Sequence, residues 1–200
     1  MPVGLLSVTQ AHAAGALVAN TEGLWQWNLA LHGSKMLPAS SYQRMSTPEG
    51  AAAAHQYGLG ISRSTLRGQP LLFHGGGVLG FVSMLSYLPN TSTTVVVLRN
   101  SDAPGLSLDV VARRLAAFAI GDPFIEPTHV AVVVKQLMGL EGTYQQDRGQ
   151  IRMLRVKDGV LNVEQAGGSR IALIALGKDR FAWPDSLTWM EISRGINGQA

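Results

Sequence analysis

The sequence predicts an α+β fold: an antiparallel sheet with packed helices over residues 1–124, then a small antiparallel β domain over 125–200. Three observations predict it. Helical spacing early in the chain gives way to strand-length runs from Tyr57 and returns once, between Leu106 and Ile120;. Two prolines in Gly121-Asp122-Pro123-Phe124-Ile125-Glu126-Pro127 then stop that helix and mark a linker;. Beyond it the chain alternates in short strands, with hairpin signals at Asp158-Gly159 and Gly167-Gly168;.

Taken in order, Asn20 or Thr21 caps a helix whose apolar stripe is Leu24, Trp27 and Leu31, ended by Gly33;. Trp25, two residues from Trp27, cannot share its face, so Trp27 is expected inward and Trp25 partly at the surface;. A shorter helix begins at Pro38 and runs to about Met45;. Strands follow at Tyr57 to Ser62, Pro70 to His74, Phe81 to Leu88 and, after the turn Pro89-Asn90, Thr93 to Leu98;. The run Thr93-Thr94-Val95-Val96-Val97 suits a central strand covered on both faces;. In the helix from Leu106 to Ile120, Leu108, Val111, Leu115 and Phe118 are expected inward and Asp109 and Arg113 outward;. The tail is expected to hold a short helix from Thr128 to Leu137. Its strands are expected at Gly142 to Gln146, Ile151 to Lys157, Val160 to Gln165, Ile171 to Leu176, Phe181 to Trp183 and Thr188 to Ser193. Phe181, Trp183 and Trp189 read as core of this small partial barrel, or as substrate-facing aromatics.

Composition narrows the function classes. In a chain of 200 residues with 46% hydrophobic residues, a core of ordinary size can be buried;. Charged residues make up only 14% and the net charge is +3, a thin scatter with no basic stripe, so nucleic acid is not an expected partner;. The absence of cysteine excludes disulfides and thiolate chemistry;. His12, His32, His55 and His129 stand apart from one another and from acidic clusters, so neither a metal nor another cofactor is expected;. No apolar run approaches the roughly 18 residues of a membrane span, and Met1 to Ala19 contains no Lys or Arg to begin a signal peptide;.

The chemistry-bearing stretch is Gln69-Pro70-Leu71-Leu72-Phe73-His74-Gly75-Gly76-Gly77-Val78-Leu79-Gly80-Phe81. On residue chemistry alone, His74 is either a strand-end histidine beside a glycine-rich bend or part of a site. Glycines in a strand let another backbone or a ligand approach with no Cβ in the way. Together with Ala14-Gly15-Ala16-Leu17-Val18 and the capped helix containing Trp27, this stretch resembles the C-terminal half of the serine β-lactamase and penicillin-binding-protein superfamily. Its class C and esterase-like members are nearest in style. The segment from Leu140-Glu141-Gly142-Thr143-Tyr144 to Arg194 resembles the small β-rich domain often appended to such proteins.

That resemblance implies a partial β-lactamase-like domain and an acyl-enzyme hydrolase acting on an ester, amide or β-lactam carbonyl. It places His74, Gly75 and Gly76 at the Lys, Thr and Gly positions of the family's Lys-Thr-Gly strand, with the Gly77 N–H as an oxyanion donor;. Asn100-Ser101 resembles the polar pair that closes the later strand, or is simply a turn leading into the next helix.

The family's other two elements are missing. Three residues before Lys35, Lys135, Lys157 and Lys178 stand His32, Val132, Leu154 and Ala175, so there is no Ser-x-x-Lys. Two residues after Tyr42, Tyr57, Tyr87 and Tyr144 stand Arg44, Leu59, Pro89 and Gln146, so there is no Tyr-x-Asn, nor is there a Ser-x-Asn. In the family both lie upstream, so the chain reads as a fragment, a truncated gene model or a degenerate copy, expected to be inactive alone. The alternative is a non-catalytic ligand-binding or subunit-pairing module. If the sheet normally carries helices from an absent N-terminal half, an apolar face is left uncovered, so self-association, pairing with that missing half or poor solubility is expected. Members of the family are often exported in bacteria. Two other motif readings fail: a lipase-like oxyanion loop needs a Gly-x-Ser-x-Gly elbow, which does not occur, and Gly58-Leu59-Gly60 lacks the third glycine of a dinucleotide site;.

Overall fold

The computed structural model describes residues 12–15, 17–101, 103, 105–126, 128–145, 151–165, 170–184 and 186–193. The chain divides into two units, Met1–Phe124 and Ile125–Ala200. The architecture is α+β with antiparallel sheets throughout.

In the first unit a meander of four antiparallel strands, β1 (Ser62–Leu66), β2 (Gln69–Val78), β3 (Phe81–Leu88) and β4 (Thr93–Arg99), pairs in sequence order. Among the described residues three α-helices accompany it: α1 (Thr21–His32), α2 (Ala39–Ser46) and α3 (Leu108–Ala119). Asn20 caps α1 by accepting the Gly23 N–H at 2.8 Å, and the Gly33 N–H closes the far end on the Leu29 carbonyl at 2.9 Å;.

The core lies between the sheet and α3: Leu66, Leu71, Leu88 and Val95 meet Ala112, Ala116 and Ala117. The inward face of α3 is therefore a row of alanines. Leu115 and Phe118, expected inward, are exposed (48% and 74%), and Val111 is only half-buried. Alanines at this spacing let the helix axis approach the sheet closely, which larger side chains would prevent. Asp109 and Arg113, expected outward, pair at 2.9 Å beneath the sheet edge. Arg113 also donates to the Thr65 carbonyl at 3.2 Å and lies 5.5 Å over the Phe73 ring.

Three further expectations change. The Tyr57 to Ser62 stretch is not a strand: Tyr57 makes an isolated bridge to Ser62, and between them the Gly58 N–H bonds back to the Ile61 carbonyl at 2.8 Å. Gly60 in this turn has φ +86, a left-handed conformation suited to glycine;. Among the described residues the β-branched β4 is an edge strand, not a central one. Its faces are nonetheless occupied on both sides, Val95 and Val97 against α3 and Thr94 against Asn28 of α1. Asn28 donates to the Thr94 hydroxyl at 2.7 Å and is the buried residue of α1, whereas Trp25 and Trp27 are equally exposed at 47% and 48%. The inward face is thus Leu24, Asn28 and Leu31, and Trp27 does not share it;.

Arg67, in the two-residue β1–β2 turn with φ +50, holds the chain leaving α3. Its guanidinium donates to the Asp122 and Pro123 carbonyls at 3.1 and 2.7 Å and sits 4.3 Å over the Phe124 ring.

The second unit has α4 (Val134–Met138) and two small sheets, β5 (Gly142–Gln145), β6 (Ile151–Lys157), β7 (Val160–Gln165) and β8 (Arg170–Ala172), then β9 (Ile174–Gly177), β10 (Arg180–Ala182) and β11 (Trp189–Glu191). The helix is shorter than expected because Val130 stays extended and donates to the Ala175 carbonyl at 2.9 Å, as a valine-rich run favours;. The single strand expected at Ile171 to Leu176 divides at Leu173, whose buried side chain joins the core of Leu140, Leu154, Leu161 and Phe181. Asp158-Gly159 forms a two-residue hairpin with both φ positive, and Lys178-Asp179 forms another;. The Gly167-Gly168 turn lies outside the described residues. Phe181 is core at 2% exposure and Trp183 packs against it, but Trp189 is 55% exposed and belongs to the surface.

Candidate functional site

Two alternations of the antiparallel ladder build the site on β2. Side chains alternate between faces, so Leu71 and Phe73 join the α3 core while Leu72, His74 and Gly76 face the opposite side;. Backbone groups alternate between neighbouring strands. The β1–β2 hairpin closes on Leu66 and Gln69 and the β2–β3 hairpin on Val78 and Phe81. Closing pairs of two-residue hairpins bond to each other, so Gln69, Leu71 and Phe73 address β1, and Gly75 and Gly77 point the same way. But β1 pairs no further than Phe73, opposite Ser62. The N–H and C=O groups of Gly75 and Gly77 therefore face an edge that no described strand occupies.

His74 lies inside a ten-residue strand, not at a strand end beside a bend, and the glycines continue the strand. Each glycine has its own steric setting. A Cβ on Gly76 would stand 2.6 Å from the Ser83 hydroxyl and one on Gly75 would stand 3.2 Å from the Met84 methyl, while one on Gly77 would meet nothing within 4 Å. The hairpin tip beside them exposes Val78, Leu79 and Phe81. The site is open, donor-rich and bordered by apolar surface.

Tyr57 reaches His74: its hydroxyl lies 3.0 Å from Nε2, with ring centroids 5.9 Å apart and planes tilted by 49°. The turn that carries Tyr57 is held at both ends. The Arg63 N–H bonds to the Gln56 carbonyl at 2.8 Å, and the Leu59 N–H to the Met45 carbonyl at the end of α2 at 2.8 Å. A Cβ on Gly58 would stand 2.3 Å from that Met45 carbonyl oxygen, so the glycines at 58 and 60 serve this turn. Sequence reading missed Tyr57 as a partner of His74, since residues 17 apart carry no spacing signal.

On the same sheet face, His32 of α1 stacks on Tyr87 at 4.0 Å with planes 7° apart, and its Nδ1 lies 2.5 Å from the Tyr42 hydroxyl. Burial lowers the His32 pKa to about 4, so the ring is neutral at pH 7;. Burial raises the Tyr42 pKa; Tyr87 adds to the rise and Arg63 opposes it. Asn100-Ser101 forms a turn after β4, with the Ser101 carbonyl accepting from Arg99 at 2.7 Å and its hydroxyl from the Ala103 N–H at 3.2 Å. Among the described residues no group of His, Asp and Glu could hold a metal ion, and no helix is long and apolar enough to cross a membrane.

No family model matches the chain. Over 132 residues the chain is 27% identical to a D-aminopeptidase of Gluconobacter oxydans (strain 621H), a match covering 64% of this chain and 23% of that protein. This supports the hydrolase relationship implied by the resemblance. Among solved structures, the chain is similar to an octameric penicillin-binding protein homologue from Pyrococcus abyssi (20% identity, TM-score 0.43, 76% of this chain and 37% of that one). It is also similar to SurE with D-Leu (23% identity, TM-score 0.45, 88% and 44%). The chain spans less than a quarter of the curated relative and less than half of each solved structure.

Proposed function

We propose that this chain supplies one wall of a serine-hydrolase site of the D-aminopeptidase and penicillin-recognising kind. In this reading His74, Gly75 and Gly76 form the substrate-facing strand and the Gly77 N–H is an oxyanion donor. The observation that carries it is the open edge of β2, where two glycine N–H groups are directed outward beside His74. Donors fixed in this way stabilise charge developing on a tetrahedral carbonyl adduct, and loss of one such donor costs about 10²- to 10³-fold in rate. The substrate would be a small ester, amide or β-lactam. With neither Ser-x-x-Lys nor Tyr-x-Asn in the sequence, the chain alone is expected to form no acyl-enzyme;.

The test has two parts. The purified chain is assayed against a chromogenic short-chain ester, a chromogenic cephalosporin and D-alanine p-nitroanilide, beside His74→Ala; no turnover above the variant is expected. Turnover abolished by His74→Ala would overturn the assignment of a wall without a nucleophile. Titration with benzylpenicillin, followed by NMR, is expected to move the Gly75 and Gly77 amide resonances first, and an unmoved pair would remove the site.

A second reading, a subunit-pairing module, is favoured by one observation. Trp25, Trp27 and Leu29 of α1 are exposed, and no described strand pairs with the outer edge of β4;. Light scattering after size exclusion is expected to show self-association, and a sharp monomer at working concentration would count against it.

A further inference from the structure

We propose that Tyr57 is a positioning residue that sets the tautomer of His74, making His74 a hydrogen-bond donor at the β2 edge and not a base. A neutral imidazole carries one N–H, and the partner of one ring nitrogen decides what the other presents. Nε2 is occupied by the Tyr57 hydroxyl at 3.0 Å. That single contact allows two arrangements. In one, Tyr57 donates to Nε2, and Nδ1 carries the proton. In the other, Nε2–H donates to the phenol oxygen, and Nδ1 is a free acceptor.

The structure favours the first. A phenol is a better donor than acceptor, and His74 Nε2 lies within reach of the Tyr57 hydroxyl at 3.0 Å. The Tyr57 backbone is fixed before any ligand arrives: its N–H bonds to the Ala52 carbonyl at 3.2 Å, and the Tyr57↔Ser62 bridge joins it to β1. The turn behind it is tied to the end of α2, where the Leu59 N–H bonds to the Met45 carbonyl at 2.8 Å. Tyr57 is half-buried while His74 is exposed, so the hydroxyl is the better-ordered partner.

His74 Nδ1–H then joins the Gly75 and Gly77 N–H groups, and the edge of β2 displays donors toward a ligand carbonyl or carboxylate. A histidine of this kind binds and polarises; it does not remove a proton. The functional meaning rests on the hydrolase-wall reading above, but the tautomer does not.

The test is long-range ¹H–¹⁵N NMR of the ring nitrogens in the uniformly labelled chain at pH 7.5, with His74 assigned by comparison with His74→Gln. The expected result is a His74 Nδ1–H tautomer, with Nε2 in the unprotonated range. In Tyr57→Phe, which removes only the hydroxyl, the ring is expected to revert toward Nε2–H, while the His32 ring signals stay in place and report that the fold is intact. A wild-type His74 in the Nε2–H form overturns the proposal without any variant. So does a Tyr57→Phe protein with unmoved His32 signals and an unchanged His74 tautomer. If the tautomer is as expected but benzylpenicillin moves neither glycine amide, Tyr57 still orients His74 and the hydrolase-wall reading is the part that fails.

Discussion

The two faces of the four-stranded sheet differ in kind. Against α3 the sheet is dry in the sense that its side chains are buried: Leu71, Leu88 and Val95 close on a row of alanines and none is more than 8% exposed. On the opposite face the cross-strand rows mix apolar residues with Arg63, His74, Tyr87 and Thr94, and the elements laid over them contribute Asn28, His32, Tyr42 and Tyr57. One pleated ladder thus separates two tasks, because each strand sends alternate residues to each face. The first face holds the fold by buried area. The second gives less burial but presents oriented polar groups, and it is the face that His74 shares.

The largest expected effect breaks the dry face. Leu88, fully buried, becomes a cavity in Leu88→Ala at a cost of about 2–5 kcal/mol, whereas His74→Ala on the exposed part of the other face is expected to fall within about 0.5 kcal/mol of wild type;. Urea denaturation of the two variants would show this, and equal losses would sink the contrast. Next, Ala116→Leu forces a larger side chain into the contact between α3 and the sheet, at about 1–3 kcal/mol, while Leu115→Ala one residue away changes little because Leu115 is 48% exposed;. If thermal melts showed the leucine to be the costlier site, the alanine-lined packing would be wrong.

Acid sharpens the comparison on the polar face. His32 has its pKa lowered by burial from 6.5 to about 4, so the unfolded chain takes up the proton first as pH falls;. Its contribution is intact above pH 6.5 and declines as pH drops toward 4. Discounted for partial exposure, the loss is about 1–2 kcal/mol. His32→Phe is expected to flatten that part of the stability–pH curve, and an unchanged slope would argue against a buried neutral ring. The smallest effect concerns neighbouring glycines. Gly77→Ala meets open space and is expected to alter stability by under about 0.5 kcal/mol, while Gly76→Ala presses on the Ser83 hydroxyl and costs more, about 1 kcal/mol;. Chemical denaturation of the pair, with the order reversed, would show that β2 is placed differently.

Much of the fold was legible locally. Asn20 and Gly33 bracket α1 through capping chemistry that short sequence reveals;. The strands Phe81–Leu88, Ile151–Lys157 and Val160–Gln165 run from end to end as their composition predicts, and Asp158-Gly159 turns as its left-handed pair requires;. Errors arose where a local pattern had two tertiary solutions. The valines of β4 suit a central strand covered on both faces, but two flanking helices bury an edge strand as well. In α3 both the leucines and the alanines recur at helical spacing. Periodicity alone does not say which stripe meets the sheet, and close approach selected the smaller;.

For the candidate site, the sequence alone determined the chemistry available: a histidine followed by three glycines in strand-forming surroundings, and no Ser-x-x-Lys anywhere in the chain. Those are properties of residue type and order, which need no partner in space. Only the tertiary structure decided which backbone groups are free, since that depends on where β1 stops pairing with β2. It also decided what touches His74, since Tyr57 arrives from a separate turn held by the end of α2. Contacts between segments distant in the chain are set by the geometry of packing, and local sequence does not encode them one residue at a time.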